Sequence, residues 1–240
     1  MKFTVVTVCF NAADTIEKTI KSVLNQTHND IEYIIKDGAS RDETMDVVNS
    51  YVDDKRIIAV SSPDNGLYNA MNEAIDMASG EYIIFMNAGD CFASTTVLAD
   101  VANMASNAEF IYGNVIRKKP NSDELEKYGG RKRLLKLLFM GRMVSHQSMI
   151  VRTDVMKKYH FDESFKITAD YNLYAKLLKN KHSMQHIDTV VSVVENIEGI
   201  SSQSTNLSVM RAEDDRTLKE YYPVFYYLLK PIKGIKRRFL

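Results

Sequence analysis

The sequence predicts an α/β fold, a doubly wound and mostly parallel central sheet with helices on both faces. Two observations carry this. Short β-rich runs alternate with amphipathic helical stretches through the first hundred residues, joined by short connections. The residues directly after each run are polar, and that is the end of a parallel sheet where a ligand crevice forms. A chain of 240 residues, 45% hydrophobic, is long enough to bury a core without staples.

The elements follow in order. Phe3 to Val8 reads as the first strand. Asp14 with Glu17 has the spacing of a capping box, and the helix through about Leu24 places Ile16, Ile20, Val23 and Leu24 on one face. Ile31 to Ile35 is a second strand ending at Lys36-Asp37-Gly38. Ser40 and Glu43 repeat the capping-box spacing ahead of a helix through about Tyr51. Ile57 to Val60 is a third strand, Leu67 to Ala78 a helix, Tyr82 to Met86 a fourth strand and Thr95 to Asn107 a helix. Phe110 to Arg117 opens a hairpin with its tip at Pro120-Asn121-Ser122-Asp123. A segment over 123–143 reads as an acceptor-side lid or a surface segment. His186 to Glu195 is a strand, and Thr205 starts a helix through about Tyr221.

Composition narrows the class. The two cysteines, Cys9 and Cys91, make no disulfide framework, so a reducing compartment is expected. No signal-peptide pattern opens the sequence, and no apolar window reaches the ~18–20 residues of a membrane span. Zero net charge conceals an asymmetry. Residues 1–100 hold 16 acidic against 7 basic side chains, and residues 101–240 hold 15 against 24. Basic residues concentrate in 131–143 and 230–240, interleaved with Leu, Ile and Phe, a pattern suited to an anionic membrane surface or to a plain solvated helix face. No nucleic-acid-binding signature accompanies them.

The ends of the strands carry the chemistry. Phe10 and Asn11 follow the first, Asp37-Gly38-Ala39-Ser40 the second, Ser62-Pro63-Asp64-Asn65-Gly66 the third and Asn87-Ala88-Gly89-Asp90 the fourth. One such Asp closes a turn or caps a helix. Three at successive strand ends point to a site. No Gly-rich phosphate loop occurs there. An acidic rim repels a pyrophosphate unless a hard divalent cation, Mg²⁺ or Mn²⁺, intervenes.

At this point the chain resembles the family-2 glycosyltransferases of the GT-A fold, over roughly residues 2–195. Thr4-Val5-Val6-Thr7-Val8-Cys9-Phe10-Asn11 is similar to the family's first strand and its nucleotide-contacting end. Ser22-Val23-Leu24-Asn25-Gln26-Thr27 is similar to its S-V-L-x-Q-T segment. Asp37-Gly38-Ala39-Ser40-Arg41-Asp42 resembles its D-G-x-S-x-D turn, and Asp64-Asn65-Gly66-Leu67-Tyr68-Asn69-Ala70-Met71-Asn72 its D-x-G-x-x-x-A-x-N stretch. The resemblance implies a nucleotide site of Thr7, Phe10, Asn11, Asp37, Gly38, Asp64, Gly66 and Asn69. Asn87-Ala88-Gly89-Asp90 stands in place of the metal-binding D-x-D motif. Its first Asp is missing, so Asp90 is the sole carboxylate ligand there, for Mn²⁺ or Mg²⁺, with Asn87 and Ala88 towards the donor. His146-Gln147-Ser148 resembles the acceptor side. Thr168-Ala169-Asp170-Tyr171-Asn172-Leu173 resembles the segment of the catalytic base, which maps to Asp170.

The chemistry matches. An acceptor hydroxyl attacking an anomeric carbon needs a base for its proton, and a carboxylate serves. The departing diphosphate gains charge that a divalent ion stabilises. One base opposite the leaving group implies inversion, whereas a glycosidase pairs two carboxylates about the scissile bond. By position alone an Asp at a helix start is more often a cap. His146 could touch diphosphate, metal or acceptor, or simply pack. The other four histidines and both cysteines read as structural.

The resulting expectation is a GT-A domain over 1–200, with a nucleotide-sugar half (1–100) and an acceptor half (101–200), and a helical basic–apolar appendage over 201–240. It would transfer a sugar from a nucleotide-sugar donor, UDP first, to a glycan or lipid-linked acceptor in surface polysaccharide assembly. It would work in the cytoplasm, peripheral to the inner face of the plasma membrane. Oligomeric state is not legible. A sugar nucleotidyltransferase would want a Gly-rich basic loop, which Phe10-Asn11-Ala12-Ala13 does not supply. A non-catalytic nucleotide-sugar-binding relative is the alternative that the thinned metal motif keeps open.

Overall fold

Strands β1 (Phe3–Cys9), β2 (Ile31–Asp37), β3 (Ile57–Ser61) and β4 (Tyr82–Phe85) lie side by side and parallel in the order β3-β2-β1-β4. The computed structural model describes residues 1–118, 125–129, 143–194 and 206–228. The expected hairpin tip at 120–123, residues 130–142 and 195–205, and the tail beyond 228 lie outside the described residues. The described chain forms two compact units. The first comprises 1–118, 125–129, 144–161 and 183–194, and the second is built on 162–182 and 206–228.

In the first unit the sheet continues past β4 through β8 (Met149–Arg152), β6 (Phe110–Lys118), β9 (Met184–Val194) and β5 (Cys91–Phe92), with β7 (Leu125–Gly129) paired to β6 as the expected hairpin. This far half is mixed rather than parallel. β8 runs antiparallel to both β4 and β6, while β9 is parallel to β6. Antiparallel neighbours need no crossover helix, and the regular strand–helix alternation of the sequence stops where they begin. Helices α1 (Ala13–Leu24), α2 (Thr44–Asn49), α3 (Leu67–Met77), α4 (Val97–Met104) and α5 (Thr153–Tyr159) complete the unit. Of the face that the periodicity required, Ile16, Ile20 and Val23 are buried in a core with Phe3, Val5, Tyr33 and Tyr82, and Leu24 packs against it partly buried.

Register lines up the strand ends. Cys9 pairs with Asp37 and Asp37 with Ser61. Phe85 pairs with Val6, and the Ala88 N–H reaches the Val8 carbonyl at 3.4 Å. The segments after β1, β2, β3 and β4 therefore emerge along one rim.

Neither expected capping box forms. Helix α1 starts one residue before Asp14, with no side-chain cap of its own. The loop after β2 and the first residue of α2 supply partners instead. The Ala12 N–H donates to Thr44 Oγ1 at 2.7 Å and the Ala13 N–H to Asp42 Oδ2 at 3.1 Å. Glu17 pairs with Lys21 and accepts the Tyr51 hydroxyl at 2.8 Å. Ser40 does not cap α2, because its hydroxyl donates to Asp37. A local spacing was outcompeted by partners across the sheet.

The second unit packs α6 (Ala169–Lys179) with α7 (Leu207–Tyr221), and residues 223–228 continue as a helical turn. No helix among the described residues is long and apolar enough to cross a membrane.

Candidate active site

At the end of β1, Phe10 is 60% exposed, unusual for a phenylalanine beside a buried strand. Its ring lies against Gly38, the first residue past β2, and Asp64 closes in from the loop after β3. Asp64 Oδ1 accepts the Gly66 N–H at 2.9 Å, a turn that fixes the carboxylate. Gly66 itself, at φ +110°, starts α3 in a conformation that suits glycine. The Asn65 N–H donates to Asn69 Oδ1 at 2.9 Å, holding the same loop. An exposed aromatic face, a bare backbone and a carboxylate acceptor together suit a flat heterocycle bearing N–H donors.

Beneath this rim two sequence-singled residues serve as ties. Thr7 is wholly buried. Its hydroxyl donates to the Met86 carbonyl at 2.6 Å and bonds the Tyr33 hydroxyl, so it joins three strands and does not reach the rim. Asp37 is also 0% exposed. Its carboxylate accepts the Ser40 hydroxyl, the Ser40 N–H at 3.0 Å and the Ser61 hydroxyl at 2.6 Å. Burial pushes its pKa up, but these hydrogen bonds outweigh that and hold it below the usual carboxylate range. Asp37 thus shapes the turn carrying Gly38, Ala39 and Ser40. Ala39 (φ +62°) and Asn11 (φ +50°) both sit in the left-handed region, held by Asn11 N–H to Ser40 Oγ (2.8 Å) and Arg41 N–H to Asn11 Oδ1 (2.9 Å). Cys9 lies under Asp37, where burial lifts its thiol to about 12, an unreactive group.

Lys36, which the sequence reading did not single out, is 1% exposed. Its ammonium donates to the carbonyls of Ser62 (2.8 Å) and Asp37 (3.3 Å) and pairs with Glu73 at 3.3 Å. It anchors the loop bearing Asp64 to the end of β2.

The other end of the rim gathers around Asp90. Burial pushes its carboxyl above the ordinary range, against the pull of His146, a hydrogen bond from Gln147, and the charges of Lys18 and Arg117. Behind Gln147 runs a relay. Arg117 Nη2 donates to Ser145 Oγ at 2.9 Å, and that hydroxyl donates to Gln147 Oε1 at 2.6 Å. The structure thus brings His146 and Gln147 to Asp90 and adds the charges of Lys18 and Arg117, with Ser145 linking Arg117 to Gln147. These three come from α1, β6 and the turn before a 3₁₀ segment (His146–Ser148), spacings with no linear signature. Ala88 is half-buried at the start of this turn, and the Asn87 side-chain oxygen is buried without a hydrogen-bond partner. That oxygen and the Asp90 carboxylate are hard donors of the kind Mg²⁺ and Mn²⁺ prefer. Among the described residues no cluster of three or more His, Cys, Asp or Glu side chains is poised for a metal.

In the second unit Asp170 sits in the first turn of α6, half-buried, with Oδ1 accepting the Tyr171 N–H at 2.8 Å. The N-cap is Thr168, not Asp170. The carboxylate that serves the start of this helix is Glu213 of α7, which accepts the N–H groups of Lys166, Ile167 and Thr168.

The sheet, its ligand rim and the flanking helices define a glycosyltransferase domain of GT-A architecture. Among solved structures, the chain resembles Staphylococcus aureus TarS residues 1-349 in complex with UDP-GlcNAc (TM-score 0.71, 20% identity, covering 92% of this chain and 71% of that one). It also resembles the mannosyltransferase PcManGT from Pyrobaculum calidifontis in complex with GDP-Man and Mn²⁺ (TM-score 0.65, 14% identity, covering 97% and 75%). The chain belongs to glycosyl transferase family 2, whose family model matches residues 4–164. A PGL/p-HBAD biosynthesis glycosyltransferase of Mycobacterium bovis is 28% identical over 207 residues, 83% of this chain and 79% of the relative. The Escherichia coli UDP-Glc:alpha-D-GlcNAc-diphosphoundecaprenol beta-1,3-glucosyltransferase WfaP is 32% identical over 116 residues, 48% of this chain and 46% of the relative.

Proposed function

We propose that this protein transfers a sugar, with inversion, from a nucleoside diphosphate donor, UDP-sugar first, to a hydroxyl of a glycan or lipid-linked saccharide. The carrying observation is the rim itself, with Phe10, Gly38 and Asp64 at one end and Asp90 among Lys18, Arg117 and His146 at the other. The first group takes the base. The basic groups of the second offset diphosphate charge as the leaving group departs. Asp90 with the Asn87 oxygen would hold Mn²⁺ or Mg²⁺, which supplies Lewis-acid neutralisation of that charge when bound. Asp170 accepts the acceptor's proton. Its place inside the first turn of α6, with the N–H groups that lead into the helix bound by Glu213 and not by Asp170, supports this. The Escherichia coli relative WfaP, a glucosyltransferase named for alpha-D-GlcNAc-diphosphoundecaprenol, supports the lipid-linked acceptor class.

A role at an anionic membrane surface belongs to the same reading. Val224, Phe225, Tyr227 and Leu228 are all more than half exposed, just ahead of the basic stretch 230–240. Deleting 224–240 is expected to release the protein from anionic vesicles, and unchanged co-sedimentation would remove this part.

Thermal shift with UDP, GDP and dTDP, each with and without Mn²⁺, tests the donor assignment. UDP with Mn²⁺ at about 100 times Kd is expected to add about 2.7 kcal/mol, several degrees of Tm. No shift with any of the three contradicts it.

A further inference from the structure

We infer that Glu213 is a positioning residue for Asp170, a buried carboxylate that fixes the chain segment from which the base projects. The inference rests on Asp170 being that base, and it reaches beyond the family resemblance, which ends near residue 195.

Glu213 is only 9% exposed although it lies on α7, a mostly polar helix. Carboxylates are seldom buried without a specific set of partners. Here the set is complete. Glu213 accepts the N–H of Lys166 at 2.6 Å, of Ile167 at 3.1 Å, of Thr168 at 2.9 Å, and the Thr168 hydroxyl at 3.2 Å. These N–H groups lead into α6, where donors lack intrahelical partners, and the helix has no side-chain cap from its own N-cap residue. Asp170 follows two residues after the last of them.

The same face of α7 holds the segment elsewhere. Three and four residues on from Glu213, side chains project to one side of the helix. The Arg216 guanidinium lies over the Phe165 ring, 4.4 Å from its centroid, and 3.4 Å from Asp162 Oδ2. Thr217 Oγ1 accepts the Asn172 amide at 3.3 Å. The chain is therefore gripped before and after Asp170, with Glu213 making the tightest set of bonds. A neutral amide at position 213 offers one acceptor oxygen to three converging donors, so charge and both oxygens matter. A base displaced by about 1 Å loses about 100-fold in rate.

The test uses the full chain, with UDP release from UDP-glucose, UDP-galactose or UDP-N-acetylglucosamine, whichever is fastest, as the probe. Glu213→Ala is expected to lower kcat about 100-fold while the Kd for UDP with Mn²⁺ stays within about twofold. Glu213→Gln is expected to recover at least tenfold of that loss. In both variants the Ile167 and Thr168 amides should exchange hydrogen faster than in the parent. A folded Glu213→Ala with the parent's kcat, alongside an inactive Asp170→Asn, overturns the positioning role and leaves the base assignment standing. An Asp170→Asn that keeps the parent's kcat removes the base assignment and this inference with it. If Glu213→Ala does not fold, Glu213→Gln decides: about tenfold lower kcat with faster exchange supports the role, and the parent's kcat overturns it.

Discussion

Oδ2 of Asp64 lies 2.6 Å from the point where a Cβ on residue 38 would sit. Only glycine lets the loop after β3 close on the turn after β2. The other oxygen of Asp64 is tied to the Gly66 N–H, so the carboxylate cannot swing away without breaking its own turn. Gly38→Ala is therefore expected to weaken UDP binding by at least tenfold. Stability falls by about 1–2 kcal/mol, since the clash is at a rim and with a side chain. Isothermal titration beside a thermal melt checks both.

Asp90 gives a signed pH dependence. Its native pKa is raised, chiefly by burial, so the stability linked to it is present at low pH and lost as pH rises through the native pKa. Asp90→Asn is expected to raise Tm at pH 7 without metal, and to abolish any Tm gain from Mn²⁺. In the parent, the Mn²⁺-dependent gain should fade on acidification at a higher pH than for an ordinary carboxylate. Melts across pH 4 to 8, with and without Mn²⁺, measure it.

Asp37 has the opposite sign. Its native pKa is lowered by the bonds from Ser40 and Ser61 despite burial, so its contribution is present above the unfolded-state pKa and lost as pH falls through the native one. Asp37→Asn should destabilise the protein at pH 7, and the gap should close in strongly acidic buffer. Urea titrations at pH 7 and pH 3 compare the two.

Lys36 anchors two backbone carbonyls with a buried charge. Lys36→Met retains the apolar stem but leaves those carbonyls without their donor. A loss of about 2–4 kcal/mol is expected, from hydrogen bonds to a charged group at about 1.5–3 kcal/mol each, partly offset by the relief of a buried ammonium. UDP affinity should drop with it, because the Asp64 loop loses its anchor.

Much of this was legible in the sequence. The alternation of strands and helices located β1 to β4, and the polar residues after them form one rim because register aligns Cys9, Asp37 and Ser61. The parts not legible depend on pairings distant in sequence. The capping boxes at Asp14 and Ser40 had the right local spacing but lost to Asp42, Thr44 and Asp37. Thr7 and Asp37 match a nucleotide-contacting motif, yet their side chains lie under the rim, since alternate residues of a central strand point into the core. The charges of Lys18 and Arg117 act on Asp90 only once α1 and β6 are placed on the sheet. Glu213 has no local signature in the sequence, because its partners lie 45 to 47 residues earlier.

The most direct measurement is UDP release by Asp170→Asn, run beside its UDP and Mn²⁺ affinity. Turnover is expected to fall about 10² to 10⁴-fold, the range for loss of a general base, with UDP affinity unchanged. Turnover equal to the parent's, in a variant that still binds UDP, would contradict the assignment of this carboxylate as the group that receives the acceptor's proton.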